Sequence, residues 1–274
     1  MVKLLLLLTL TFEVLLAQSS ANATLDEKIR NFLSPSTYAK NRGFINVVFE
    51  PKSAFYRSGR VDVIAVMRTL KENGLLHLAF REPKNFTLHF KTDGAPLFFV
   101  KVMSDALQNI GYFRYTTVDS SKEASSFTWS IAFRSDHAID PLLLHDALRK
   151  SGAKIIDIEK KTPLEWSYTV DIDRAYLNVK KLHASNVVKL PHSRYAHWLN
   201  VSAINSVDIK SSARNRWYPY IAFYDASLHL VDLQKRDRVT KSLHIEIPSN
   251  AKYMKISDIY TLKNVKDLLT LSPR

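Results

Sequence analysis

Three glycines constrain this chain more than any other feature. Gly74, Gly111 and Gly152 lie 37 and 41 residues apart, and each closes a helical pattern with an apolar residue eight positions earlier (Val66, Met103, Leu144) and another four earlier (Leu70, Leu107, Leu148). Positions four apart share one helix face, so each pair predicts a buried stripe. A glycine just past the last turn is the usual left-handed terminator, because it has no Cβ to clash at positive φ. After each glycine comes a short strand-like run (75–80, 112–118, 153–158), a polar turn, and a longer alternating run (86–91, 127–134, 164–172). In Phe127-Thr128-Trp129-Ser130-Ile131-Ala132-Phe133 the large residues fall at every second position, as in a strand buried on one face. The expected fold of residues 61–174 is therefore α+β: three αββ units forming an antiparallel sheet with helices on one face. Each unit closes on an acid, Asp93, Asp136 or Asp173. Shared ancestry and shared physics both account for the repeat.

The flanks differ. Lys3, the apolar run 4–16 and the small residues Ala17, Ala21 and Ala23 follow the pattern of a cleavable export signal, expected to cover residues 1–23. The apolar run is shorter than the roughly 20 residues that span a bilayer. Residues 24–60 read as a lead-in, with a helix over 25–33, a break at Ser34-Pro35-Ser36, and a strand over 44–49 that opens the next sheet. Past Gly152 no glycine remains, and composition shifts near Arg174 and Ala175. Eight short strand-like runs follow (176–179, 186–190, 197–201, 207–209, 218–224, 228–233, 242–247, 253–256), predicting a β-sandwich over 175–274. A hinge without glycine predicts docked units.

The run Trp217-Tyr218-Pro219-Tyr220-Ile221-Ala222-Phe223-Tyr224-Asp225, the strand 228–231, and Ile247-Pro248-Ser249-Asn250-Ala251-Lys252-Tyr253-Met254-Lys255-Ile256-Ser257 resemble the late strands of galactose-binding-like jelly-roll modules. The resemblance covers about 40 residues and rests on packing positions. It implies the fold; the family's glycan-contacting loops have no counterparts here to carry over. Residues 24–174 resemble no family.

Charge locates the candidate chemistry. The formal net charge is +13; residues 24–174 hold 22 Lys and Arg against 18 Asp and Glu, and residues 175–274 hold 16 against 7. For an exported chain such a basic unit points to an anionic glycan, a lipid headgroup or another envelope component, with no nucleic acid. With no cysteine in the sequence, a bacterial periplasm is the expected compartment, and thiolate and Cys-zinc chemistry are excluded. Arg214, Arg216 and Trp217, with Tyr195, His197 and Trp198, supply flat faces for sugar rings and forked donors for carboxylate or phosphate. The competing reading puts both tryptophans in the sandwich core. His183, His192 and His197 match no metal-ligand spacing, and no cofactor is expected. Phosphate-loop, nucleophile-elbow and zinc-helix motifs are absent. The sequence thus favours a non-enzymatic binding protein, with an envelope scaffold that docks a protein through residues 61–174 as the alternative and an envelope hydrolase as the third reading.

Overall fold

The computed structural model describes residues 23–274, so the expected leader lies outside them except for Ala23. No helix among the described residues is long and apolar enough to cross a membrane. The chain is mixed α+β and divides into two compact units, one running to Tyr176 and one from Leu177 to Arg274.

The first unit opens with α1 (Leu25–Phe32) and α2 (Pro35–Val48). Ser34-Pro35 ends one helix and starts the next: the Ser34 side chain accepts the Thr37 N–H, and Pro35 occupies the first helical position. The expected strand at 44–49 is corrected, because these residues form the last turns of α2 and its cap. Tyr38 and Ile45, two turns apart, are buried together, and that packing outweighs the strand preference of Ile45, Val47 and Val48. A small hairpin, β1 (Tyr56–Arg57) and β2 (Arg60–Val61), leads into α3 (Val63–Glu72), β3 (Ala79–Thr92) and α4 (Pro96–Asn109). Then come β4 (Thr116–Glu123), β5 (Ser126–His137), α5 (Pro141–Arg149), β6 (Lys154–Thr162) and β7 (Glu165–Asp171).

The three glycines end α3, α4 and α5 identically. Gly74, Gly111 and Gly152 have φ of 68°, 95° and 73°. Each glycine N–H donates to the carbonyl three residues back, and the next N–H donates to Leu70, Leu107 or Leu148 five residues back. This pair of bonds satisfies carbonyls that the helix end would otherwise leave open. The same three leucines, and Val66, Met103 and Leu144 one turn earlier, are all fully buried. The positions differ in what a side chain would meet. A Cβ at Gly74 or Gly111 would enter open space, whereas at Gly152 it would lie 2.6 Å from the Arg174 carbonyl oxygen. Gly74→Ala and Gly111→Ala are expected to cost about 1 kcal/mol each for the left-handed backbone, and Gly152→Ala about 2–3 kcal/mol, read by urea unfolding.

The strands form one five-stranded sheet in the order β4-β5-β3-β7-β6. All neighbours are antiparallel except β3 and β7, which correct the expected antiparallel sheet to a mixed one. Hairpins follow α4 and α5, but α3 is followed by a single long strand with an irregularity between Ala79 and Lys84. Pro83 lies in that irregularity; lacking an N–H, it cannot donate to the ladder. β3 therefore stands alone between two hairpins. Its antiparallel pairing with β5 puts Asp93 and Asp136 at opposite ends of the sheet, and Asp173, past the parallel β7, lies at the Asp93 end, so the three acids do not share one rim. Phe86, Phe90, Phe127, Trp129, Trp166 and Tyr168 lie on the buried face, where Phe99 of α4 meets Phe127 and Phe32 of α1 meets Trp166. The other face is polar. On it His89 Nδ1 lies 2.8 Å from Ser130 Oγ, and Nε2 lies 3.0 Å from Glu165, whose carboxyl this contact holds below its ordinary range.

The second unit has two sheets. One orders β13 (Leu230–Lys235), β12 (Pro219–Tyr224), β15 (Tyr253–Asp258), β10 (His197–Asn200) and β8 (Lys180–Lys181). The other orders β14 (Ser242–Glu246), β11 (Ser206–Ser211), β16 (Leu269–Pro273) and β9 (Val188–Leu190). Residues from both, among them Leu199, Ile221, Phe223, Val207, Ile245 and Leu271, form a single buried cluster. Seven of the eight expected runs carry strands. The run 176–179 does not, and β16 was not anticipated, although Leu269, Leu271 and Pro273 alternate inward along it.

Candidate anion-binding rim

β12 separates the residues that the sequence had grouped. Along Trp217-Tyr218-Pro219-Tyr220-Ile221-Ala222-Phe223-Tyr224 the odd positions point into the core: Trp217, Ile221 and Phe223 are fully buried, and Pro219 is buried. Trp217 also donates its indole N–H to the Ser257 carbonyl at 2.8 Å. It is thus sealed from any ligand and is withdrawn as a contact residue. Period-two alternation, visible in the sequence, was the signal that assigns it inward. The same alternation turns Tyr218, Tyr220 and Tyr224 outward, three half-buried rings that residue-type reasoning passed over.

The remaining candidates fall into two places. Trp198 lies on the outer face of the five-stranded sheet, its ring 5.0 Å from that of Tyr224 and 5.7 Å from the Lys255 ammonium. Tyr195, Arg214 and Arg216 are exposed on loops at one end of the unit. His197 faces a small cleft of about 10 Å³ that it lines with Ser193, Ser257, Leu262 and Val265. That is room for about one water, far below the roughly 300–1,000 Å³ of ordinary small-molecule pockets. Burial lowers the affinity of His197 for a proton.

A third segment, residues 258–268, gathers these loops. His192 Nδ1 contacts the Val265 carbonyl at 2.5 Å, and the Arg216 N–H donates to the Asn264 carbonyl at 2.9 Å. Asn215, 1% exposed, bonds the Leu268 carbonyl and the Asp267 N–H. Asp258, 7% exposed, accepts from the backbone of Tyr218, Tyr260 and Thr261 and from the Asn264 side chain at 2.9–3.0 Å. Lys241 reaches the Ala213 and Asn215 carbonyls at 3.0 and 2.6 Å.

The acids at this end are occupied in shaping the loops, as is Lys241, whereas five other cations make no salt bridge among the described residues. Asp267 accepts from Ser212 Oγ at 2.7 Å; that bond, with the nearby Arg214 charge adding to it, holds the carboxyl below its ordinary range. Arg194, Arg214, Arg216, Lys263 and Lys266 are all exposed, and none makes a salt bridge among the described residues. Five such cations on converging loops make a surface suited to a polyvalent anion. Among the described residues no group of three or more His, Cys, Asp or Glu could hold a metal ion.

Compared with known proteins, the chain matches no family model, no curated protein and no solved structure.

Proposed function

We propose that this is an exported, periplasmic binding protein whose second unit, a jelly-roll-like sandwich, holds an anionic glycan or related envelope polymer. The first unit, read as repeated αββ elements, serves as its platform. The observation that carries this reading is the rim: Arg194, Arg214, Arg216, Lys263 and Lys266 are exposed and free of salt bridges among the described residues, while Asp258 and Asp267 are engaged by the loops. Arginine forks pair with carboxylate or phosphate through two parallel bonds, so Arg214 and Arg216 are the primary contacts. Tyr195, 63% exposed, offers a ring on a loop at the same end of the unit.

The test is sedimentation of the purified protein with peptidoglycan and with acidic and neutral polysaccharides. The wild type is expected to bind the acidic polymers. The Arg214→Ala/Arg216→Ala double variant is expected to bind about tenfold more weakly or worse, since each lost charge-assisted bond is worth roughly 1.5–3 kcal/mol before screening. Wild-type binding should fall as salt is raised, because exposed charges are screened. Equal retention of the two proteins would overturn the assignment of the rim.

A further inference from the structure

The two sheets of the second unit present very different outer faces. On the four-stranded sheet the outward positions include Lys189, Asp208, His244, Glu246, Thr270 and Ser272, a mixed-charge, solvated surface. On the five-stranded sheet the register lines up Lys235, Tyr220 and Ser257 in one row, and Leu233, Ala222, Lys255 and Trp198 in the next. A third row holds Leu230, Tyr224, Tyr253 and Asn200. These rows contain lysines and no carboxylate. Tyr253 is covered, its hydroxyl accepting the Leu177 N–H at 3.3 Å, whereas Tyr218, Tyr220 and Tyr224 are half-exposed and Leu230 and Leu233 are exposed.

This face runs into the rim. β12 starts and β15 ends at the loops that carry Arg216 and Asp258, and Tyr218, the first outward ring of the series, stacks edge-on against exposed Tyr260 at 5.0 Å. Tyr218, Tyr220 and Tyr224 then lead away from the rim along one strand, with about 13 Å between the last two. A tyrosine in this setting combines an apolar ring face with a hydroxyl that bonds water or ligand, and it costs little side-chain entropy to hold. Rings in a line flanked by ammonium groups fit a chain of flat, hydroxylated units that bear carboxylates. They fit phosphate on a lipid or in a mineral chain poorly, because such ligands present no sugar face to stack.

We infer that the outer face of the five-stranded sheet, through Tyr218, Tyr220 and Tyr224 with Lys235 and Lys255, binds rings spaced along an acidic polysaccharide whose end is held at the arginine rim. This rests on the rim reading above and narrows its ligand from polyanions in general to carboxylated sugar chains.

The experiment compares full-length wild type, Tyr220→Ala, Tyr224→Ala, Tyr220→Phe and Arg214→Ala/Arg216→Ala for binding to polygalacturonate, dextran, inorganic polyphosphate and phosphatidylglycerol vesicles. Unchanged thermal midpoints establish that the variants fold. On polygalacturonate the two alanine variants are expected to lose about threefold to tenfold in affinity, and Tyr220→Phe to retain most of it. On polyphosphate the tyrosine variants should match wild type, while the arginine variant loses binding. Full polygalacturonate affinity in Tyr220→Ala and Tyr224→Ala, with a loss only in the arginine variant, would overturn the stacking face and leave the rim standing. Tyrosine-dependent binding to vesicles but not to polygalacturonate would overturn the sugar assignment. Failure of the wild type to bind any polyanion would overturn the rim, and this inference with it.

Discussion

Replacing Trp217 by alanine is expected to lower stability by about 3–5 kcal/mol, the range for removing a large, fully buried aromatic. The side chain is 0% exposed, sits within the cluster shared by both sheets, and donates its indole N–H to Ser257. Removal leaves a cavity that the two sheets can close only in part and strips the Ser257 carbonyl of its partner. Arg214→Ala and Arg216→Ala, each next to a buried residue in the chain but themselves exposed, are expected to change stability by less than about 0.5 kcal/mol. Urea unfolding followed by tryptophan fluorescence reads both effects. A Trp217→Ala protein as stable as wild type would show that the indole is not in the core. The contrast also governs binding experiments: loss of binding in a Trp217 variant reports on folding, and loss in the arginine variants reports on contact.

Asp258→Ala is expected to be comparably severe, about 3–5 kcal/mol. The Asp258 carboxyl is nearly sealed and satisfies three backbone N–H groups and one side-chain amide. Each buried donor left without an acceptor costs roughly 1–3 kcal/mol, and partial access of water to this end reduces the sum. Asp258→Asn, which keeps a carbonyl oxygen, should lose less. Because Asp258 joins Tyr218, the residue before β12, to the 258–264 segment, its loss should also loosen the rim: faster amide exchange is expected at Thr261, Asn264 and Arg216, with β11 and β14 unaffected. Protection unchanged at those amides would remove Asp258 from its place as organiser of the loops.

The parts of the fold that were legible in the sequence are those set by local geometry. A glycine after an i, i+4 pair of apolar residues specifies a helix end, since the requirement for positive φ and the spacing of a helical turn both act within ten residues. Gly74, Gly111 and Gly152 accordingly terminate α3, α4 and α5, and the stripe residues before them are buried. Asp140-Pro141 likewise caps and starts α5, the Asp140 side chain accepting the Leu142 N–H at 2.9 Å. Where local preference competed with packing, reading by residue type failed. Ile45, Val47 and Val48 carry β-branched side chains, yet Ser34-Pro35 starts a helix that buries Tyr38 and Ile45 on one face. β3 reads as a hairpin by analogy with its two successors, yet the sheet takes it as one strand between two hairpins, one antiparallel and one parallel neighbour.

The candidate site divides along the same line. That the last hundred residues hold the excess of positive charge, and that arginines and aromatics cluster before an apolar strand, follows from the order of residues alone. Which rings meet solvent does not follow from ring count, because a strand sends neighbours to opposite faces: Trp217 went inward and Tyr218, Tyr220 and Tyr224 outward. Nor could the sequence show that residues 192–195 and 214–216 converge, since the segment that joins them, 258–268, lies more than 40 residues further along. Short-range chemistry wrote the helix ends, the strands and the charge into the chain; only the closing of distant loops on Asp258, Asn215 and Val265 decided which charges stand together. The physical reason is that backbone conformation is fixed by neighbours in sequence, while a surface is fixed by neighbours in space.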